Sequence, residues 1–174
     1  SCTVGKHNYM HMTEIVEFFN KLGVSEMGFN LIIGQPGQKD FIHPKILAFY
    51  FYEAFKKASS LNMIEERIGQ RRYKHLVKEM PRINDCVGCG GQIYFSPDKK
   101  MGPCQAFYLR KEFQVDLSDK LIAKENEIWK EWSIRSPFNM KECHDCEAIS
   151  LCGGGCPYDC YTLNNTIWSK NPNF

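Results

Sequence analysis

The sequence is short of three things, and each shortage excludes a class of protein. No apolar run approaches the roughly 18–20 residues that span a bilayer, so no membrane partner is expected. No charge dominates: 22 Lys and Arg stand against 20 Asp and Glu, a formal net charge of +2. That balance argues against nucleic acid as a partner. Cysteine is almost missing from the first eighty residues, where Cys2 stands alone, while the other eight of nine fall between Cys86 and Cys160. No signal-peptide pattern opens the chain, so a cytoplasmic location is expected. Ser1 is not a natural start, and further chain is expected before it.

The lopsided distribution bears on what the thiols do. Disulfide-dense scaffolds are usually small secreted domains without an adequate core. This chain has 43% hydrophobic and 13% aromatic residues in 174, enough for one ordinary domain or two small ones. An odd cysteine count leaves one thiol over, and the tight spacings would close short, strained disulfide loops.

Hydrophobic periodicity divides the chain in two. Cys2-Thr-Val4 reads as a strand ending in a turn at Gly5. Thr13 then caps a helix carrying Ile15, Phe18, Phe19 and Leu22 at helical spacing, closed by Gly23. Met27 to Ile33 is a near-continuous apolar run ended by Gly34-Gln-Pro-Gly37, as in a strand buried on both faces. Asn30 within it would need a partner for its amide. Pro44 fits a first helical position before an apolar helix from Ile46 to Ala58, and a second helix is expected from about Leu61 to Glu79. In that helix Arg71, Arg72, Lys74 and Lys78 form a solvated face. Residues 1–80 thus read as strand–helix–strand–helix, the last β/α units of a larger α/β domain. With these unpaired edges and uncovered helices, the chain as a whole is expected to be poorly soluble alone.

After Pro81 the character changes. Tyr94 and Phe95, the turn Ser96 to Lys100, Met101 and Phe107 to Leu109 suggest a hairpin, with Cys86 and Cys89 before it and Cys104 in its returning arm. Ser118 and Asp119 open a helix whose apolar side holds Leu121, Ile122, Ile128, Trp129 and Trp132. The cysteine run that follows reads as irregular chain, with Pro157 excluding helix continuation immediately after Cys156.

The run itself is C-x2-C-x5-C-x3-C: Cys143, Cys146, Cys152 and Cys156, with Gly153, Gly154 and Gly155 before its last member and Cys160 beyond. Eight thiolates can satisfy two four-cysteine zinc ions. Zinc knuckles pair over shorter separations than the one between Cys86-x2-Cys89 and Cys143-x2-Cys146. Eight thiolates equally satisfy two [4Fe–4S] clusters, and the glycines would let backbone N–H groups approach cluster sulfides. His144 between two thiols reads as an exposed loop residue. His7, His11, His43 and His75 form no ligand constellation, with His43-Pro44 at a helix start, and Cys2 reads as a buried core thiol.

Cys86, Cys89 and Cys104 followed by C-x2-C-x5-C-x3-C with Gly-Gly-Gly-Cys-Pro resembles the SPASM extension of radical S-adenosylmethionine enzymes. The resemblance covers the whole chain. Residues 1–80 would be C-terminal β/α units of a partial (β/α)6 barrel, and residues 81–174 the auxiliary iron–sulfur module. By the family pattern Cys86, Cys89, Cys104 and Cys156 hold one [4Fe–4S] cluster. Cys143, Cys146 and Cys152 hold a second, with Cys160 or a cysteine past Phe174 as the last ligand. S-adenosylmethionine and a third cluster belong to a C-x3-C-x2-C segment that this sequence lacks. The resemblance implies an oxidoreductase-type maturase acting on a ribosomally made peptide or protein and served by flavodoxin or ferredoxin. The auxiliary clusters would take electrons or hold substrate, and no proton-transferring side chain is expected in this stretch. Two departures stand out: Lys99 and Lys100 occupy a turn where glycine is common, and Gln105 replaces an acidic residue of the sulfatase-maturing branch, which favours the peptide-modifying one. A stand-alone iron–sulfur electron-transfer or binding module and a zinc structural module are the alternatives.

Overall fold

The computed structural model describes residues 1–32, 39–117 and 125–171. The chain divides into two compact units, Ser1–Pro81 and a second beginning at Arg82. The expected turn Gly34–Gly37, with Ile33, and the helix start at Ser118, Asp119, Leu121 and Ile122 lie outside the described residues.

The first unit is a small parallel sheet with helices. Strand β1 (Cys2–Val4) pairs in parallel with β3 (Phe29–Leu31), and β2 (Glu26–Met27) pairs in parallel with β4 (Ile64–Glu65). Cys2 N also donates to Gly28 O at 2.8 Å, so 26–31 acts as one central strand flanked by β1 and β4. Helix α1 (Met12–Lys21) connects β1 to β2, and α2 (Pro44–Ser60) connects β3 to β4. Val4, Met12, Val16, Met27, Phe29, Ala54, Ala58 and Met63 form the core.

Several expectations are corrected here. Helix α1 starts at Met12 with His11 as its N-cap, so Thr13 is inside the first turn rather than the cap. A third strand, β4, occupies part of the expected Leu61–Glu79 helix. Asn62 in the left-handed region ends α2, because Asn62 N reaches Ser59 O and Met63 N reaches Ala58 O, the paired bonds of a Schellman turn. The helix proper is a π-type stretch, Glu66–Tyr73, running into α3 (Lys74–Val77). The Glu65 side chain, 1% exposed, caps it by accepting from Arg67 N at 3.0 Å and Ile68 N at 2.7 Å. The central strand is not buried on both faces: Met27 and Phe29 are inside, whereas Asn30, Leu31 and Ile32 are exposed. The Asn30 amide is bonded by Arg67 on the surface rather than in a core. Tyr73, Leu76 and Val77 are likewise exposed, so the expected amphipathic helix does not bury its apolar side here. Cys2 is only half-buried against the core.

The second unit is built on a three-stranded antiparallel sheet, β5 (Tyr94–Phe95), β6 (Lys100–Gly102) and β7 (Val115–Asp116), in that order. The returning arm therefore ends at Gly102. Phe107 lies in a 3-10 turn (Gln105–Phe107) and Leu109 is exposed. Helix α4 (Glu127–Ser133) is capped by Asn126, whose side chain accepts from Ile128 N at 2.9 Å. The cysteine run is not irregular throughout: it contains α5 (Ile149–Cys152) and leads into α6 (Pro157–Asn164). Pro157 begins that helix, because a first-turn residue needs no N–H partner, and no helix continues into it through Cys156, which is extended at φ −77° and ψ 122°. Phe107 sits at the centre of an aromatic core, edge-on to Phe113, Trp132, Tyr158 and Tyr161 at 4.5–5.4 Å. Among the described residues no helix is long and apolar enough to cross a membrane.

Candidate metal centre

The thiols from Cys86 to Cys156 sit on turns or helix ends, and Cys160 lies within α6. Cys86 and Cys89 sit on a knuckle in which Cys89 N donates to Cys86 O at 3.0 Å, Gly91 N to Val87 O at 2.8 Å, and Gly88 N to the Cys86 sulfur at 3.3 Å. A Cβ on Gly88 would lie 3.4 Å from that sulfur and 3.5 Å from the Trp132 ring, so the knuckle is roofed by an aromatic. Cys104 caps the 3-10 turn Gln105–Phe107. Cys156 is the N-cap of α6. On the other side, Cys143 ends a 3-10 turn (Lys141–Cys143), Cys146 N donates to Cys143 O at 3.1 Å, and Cys152 ends α5.

The surroundings of each thiol show which of them are neighbours. Burial raises Cys89 and Cys104 above the ordinary thiol range, and Cys86 adds to the rise at both. Burial pushes Cys156 up to about 12, with Asp159 and again Cys86 adding to it. Backbone N–H groups oppose the rise: those of Ala106 and Phe107 at Cys104, and those of Asp159 and Tyr158 at Cys156. Cys143 is raised by burial and then by Cys152 and Cys146. Cys86 is thus shared by Cys89, Cys104 and Cys156, while Cys143, Cys146 and Cys152 form a second neighbourhood. Cys160 is fully buried and differently placed: burial raises it, Arg135 and Asp159 act on it in opposite directions, and Arg135 donates to its sulfur at 3.3 Å.

All nine cysteines carry free thiols. Among the described residues no group of three or more His, Cys, Asp or Glu side chains is drawn tightly enough for one metal ion. Four thiolates on one zinc all lie about 2.3 Å from it. In a four-iron cubane each thiolate binds a different iron, so its sulfurs stand farther apart. His144 is an exposed loop residue whose ring faces Phe138 O. His43 caps α2 through Nδ1, 3.3 Å from Lys45 N.

The three glycines have a different first task from the one their spacing suggests. All are left-handed, at φ +71°, +82° and +63°, and each is pressed against another stretch of chain. A Cβ on Gly153 would come within 2.7 Å of the Asn84–Asp85 backbone, next to Cys86. On Gly154 it would meet Pro137 and Arg135, and on Gly155 it would meet Asn171. The loop therefore holds Cys152 and Cys156 close to the Cys86 strand of chain.

Sequence reasoning missed Arg135. It is 1% exposed, and its guanidinium donates to Ile167 O, to Gly155 O at 3.2 Å and to Gly154 O at 2.8 Å. A single arginine in Ser-Ile-Arg-Ser-Pro has no spacing signal; only its approach to Cys160 and the glycine loop reveals it. The buried ion pair of Arg82 with Asp85, at 2.7 Å, also steadies the approach to Cys86.

No family model matches the chain. It is similar to an uncharacterized protein of Archaeoglobus fulgidus, 30% identical over 184 residues. That alignment covers 98% of this chain but 43% of the relative, so the chain spans less than half the length of the protein it matches.

Proposed function

We propose that this chain is the auxiliary-cluster portion, with adjoining β/α units of a partial barrel, of a radical S-adenosylmethionine/SPASM enzyme that modifies a ribosomally made peptide or protein. The observation that carries the reading is the partition of the thiols: Cys86 with Cys89, Cys104 and Cys156, and Cys143 with Cys146 and Cys152. The first set is the interleaved one, joining the knuckle before the hairpin to the residue after the glycine loop.

The chemistry of the donor set fits iron–sulfur clusters. Cys89, Cys104 and Cys143 are buried, Cys104 and the Cys86 knuckle lie beside aromatic side chains, and backbone N–H groups point at the sulfurs of Cys86, Cys104 and Cys156, as suits cluster ligands. When bound, such clusters supply one-electron acceptors and an anchor for substrate. The residues of this chain hold and orient them. The Cys86 knuckle and the α6 N-terminus fix one set, while the α5 turn and the 3-10 turn at Cys143 fix the other. Trp132, Phe107 and Cys104 share an aromatic core that covers one side of the first set. To serve as the last ligand of the second set, Cys160 would have to give up its hydrogen bond from Arg135. The parallel β1–β3 and β2–β4 pairings with their connecting helices support barrel-type β/α units. In this reading S-adenosylmethionine and a third cluster reside in a C-x3-C-x2-C segment outside this sequence, flavodoxin or ferredoxin supplies electrons, and the enzyme works in the cytoplasm.

Anaerobic reconstitution with iron and sulfide tests the reading. Two cubanes require about eight irons and eight sulfides per chain and a broad brown absorption. A colourless chain that takes up zinc and leaves iron in solution would overturn it.

A further inference from the structure

We infer that Cys160 is a positioning residue and not an iron ligand: its sulfur completes the hydrogen-bond set of the buried Arg135, and the pair holds the glycine loop between Cys152 and Cys156. The inference rests on the iron–sulfur reading above and takes one thiol out of its ligand set.

Cys160 is 0% exposed and lies inside α6, one turn beyond Cys156, with Cys160 N donating to Cys156 O at 3.2 Å. Arg135, 1% exposed, reaches it from just past α4. The guanidinium donates through Nε to Ile167 O at 2.5 Å and through one amino group to Gly155 O at 3.2 Å. Its other amino group donates to both Gly154 O at 2.8 Å and the Cys160 sulfur at 3.3 Å. Such an amino group carries two N–H donors, and the sulfur takes the second of them. From the other side Ser169 Oγ donates to Cys160 O at 3.4 Å. Four stretches of chain therefore meet at this pair: the residue past α4, the glycine loop, α6 and Ile167 to Ser169.

A cysteine has one side-chain torsion, χ1, with which to turn its sulfur elsewhere. Turning Cys160 to iron would strip an acceptor from a buried, charged donor, and an unmade buried bond costs more than a made one contributes. The loss would reach the loop, because the same amino group holds Gly154 O. Gly154 and Gly155 are left-handed and have no side chains to anchor them. Their carbonyl bonds to Arg135 hold the loop that joins Cys152 to Cys156, both ligands in the reading above.

The test sets Cys160→Ala and Cys160→Ser beside wild type and Cys152→Ala, each reconstituted anaerobically, with iron counted and midpoint potentials read by dithionite titration. Cys160→Ala should keep about eight irons, whereas Cys152→Ala should fall to about four. Cys160→Ser should keep both the iron and the midpoints, because its oxygen only has to accept the Arg135 N–H. A serine bound to iron in place of a thiolate would move one midpoint. Iron loss or a moved midpoint in Cys160→Ser therefore overturns the inference, whether or not Cys160→Ala folds. Iron lost in Cys160→Ala but kept in Cys160→Ser supports it. Amide hydrogen exchange of the metal-free protein reads the loop directly. Residues 153–156 should exchange about tenfold faster in Cys160→Ala than in wild type, with Cys160→Ser between them. Equal rates in all three overturn the positioning role. A wild type that takes up no iron fails at the earlier reading, and the exchange rates still decide the role of Cys160.

Discussion

At the residue scale the thiols store a pH dependence of the metal-free chain. The ordinary thiol value is 9.0, and burial holds Cys156 up to about 12 in the fold. Between those values the unfolded chain has lost its proton and the folded chain keeps it. Stability therefore falls as pH rises through that window and is fully present below it. Cys89, Cys104, Cys143 and Cys160 are raised in the same direction. Denaturation of the metal-free protein at a series of pH values should show an alkaline decline above pH 9 that is shallower in Cys156→Ser. Parallel curves for the two proteins would contradict the burial of that thiol. Metal loading reverses the balance, because ligation requires thiolates and releases their protons. The cysteines were legible from spacing because thiolate chemistry leaves few uses for so many. Arg135 was not legible, because its role depends on packing between segments far apart in sequence.

Among the elements, the hairpin turn carries a local conflict. Lys99 is left-handed at φ +58°, where a side chain crowds the backbone and glycine does not. Its backbone bonds, Lys99 N to Ser96 O and Leu117 N to Lys99 O, do not depend on the side chain. Lys99→Gly should thus stabilise the second unit by about 0.5–1 kcal/mol, the strain relieved less the added chain entropy, as read by chemical denaturation. A destabilised variant would show that the lysine side chain contributes more than the strain costs. Helix ends marked by glycine or proline were readable: Gly23 closes α1 through its bond to Asn20 O and that of Val24 to Phe19 O, and Pro44 opens α2 behind the His43 cap. Strand β4 was not readable, because two residues carry no period and Asn62 does the work that glycine usually signals. Pro157 shows both sides of the residue: no helix runs into it through Cys156, and α6 starts from it. Proline stops a helix from its interior but starts one from its first turn, and the choice rests on where Cys156 is anchored.

For the whole molecule, the first unit leaves much apolar surface in water. Phe18 on α1, Leu22 at its C-cap, and Ile46, Phe49 and Tyr52 on α2 are all about half exposed, more than isolated surface residues explain. The sheet also leaves β1 and β4 at its edges. The chain alone should self-associate, and light scattering that finds a monodisperse, cooperatively unfolding species would contradict this. The second unit has an aromatic core of its own beside the thiols, so its fold does not rest on metal alone. The most direct test of the account is iron content in anaerobically reconstituted wild type, Cys86→Ser and Cys143→Ser. Two clusters on separate thiol sets predict about eight irons in wild type and about four in each variant. Equal iron in all three, or complete loss in either variant, would contradict the partition.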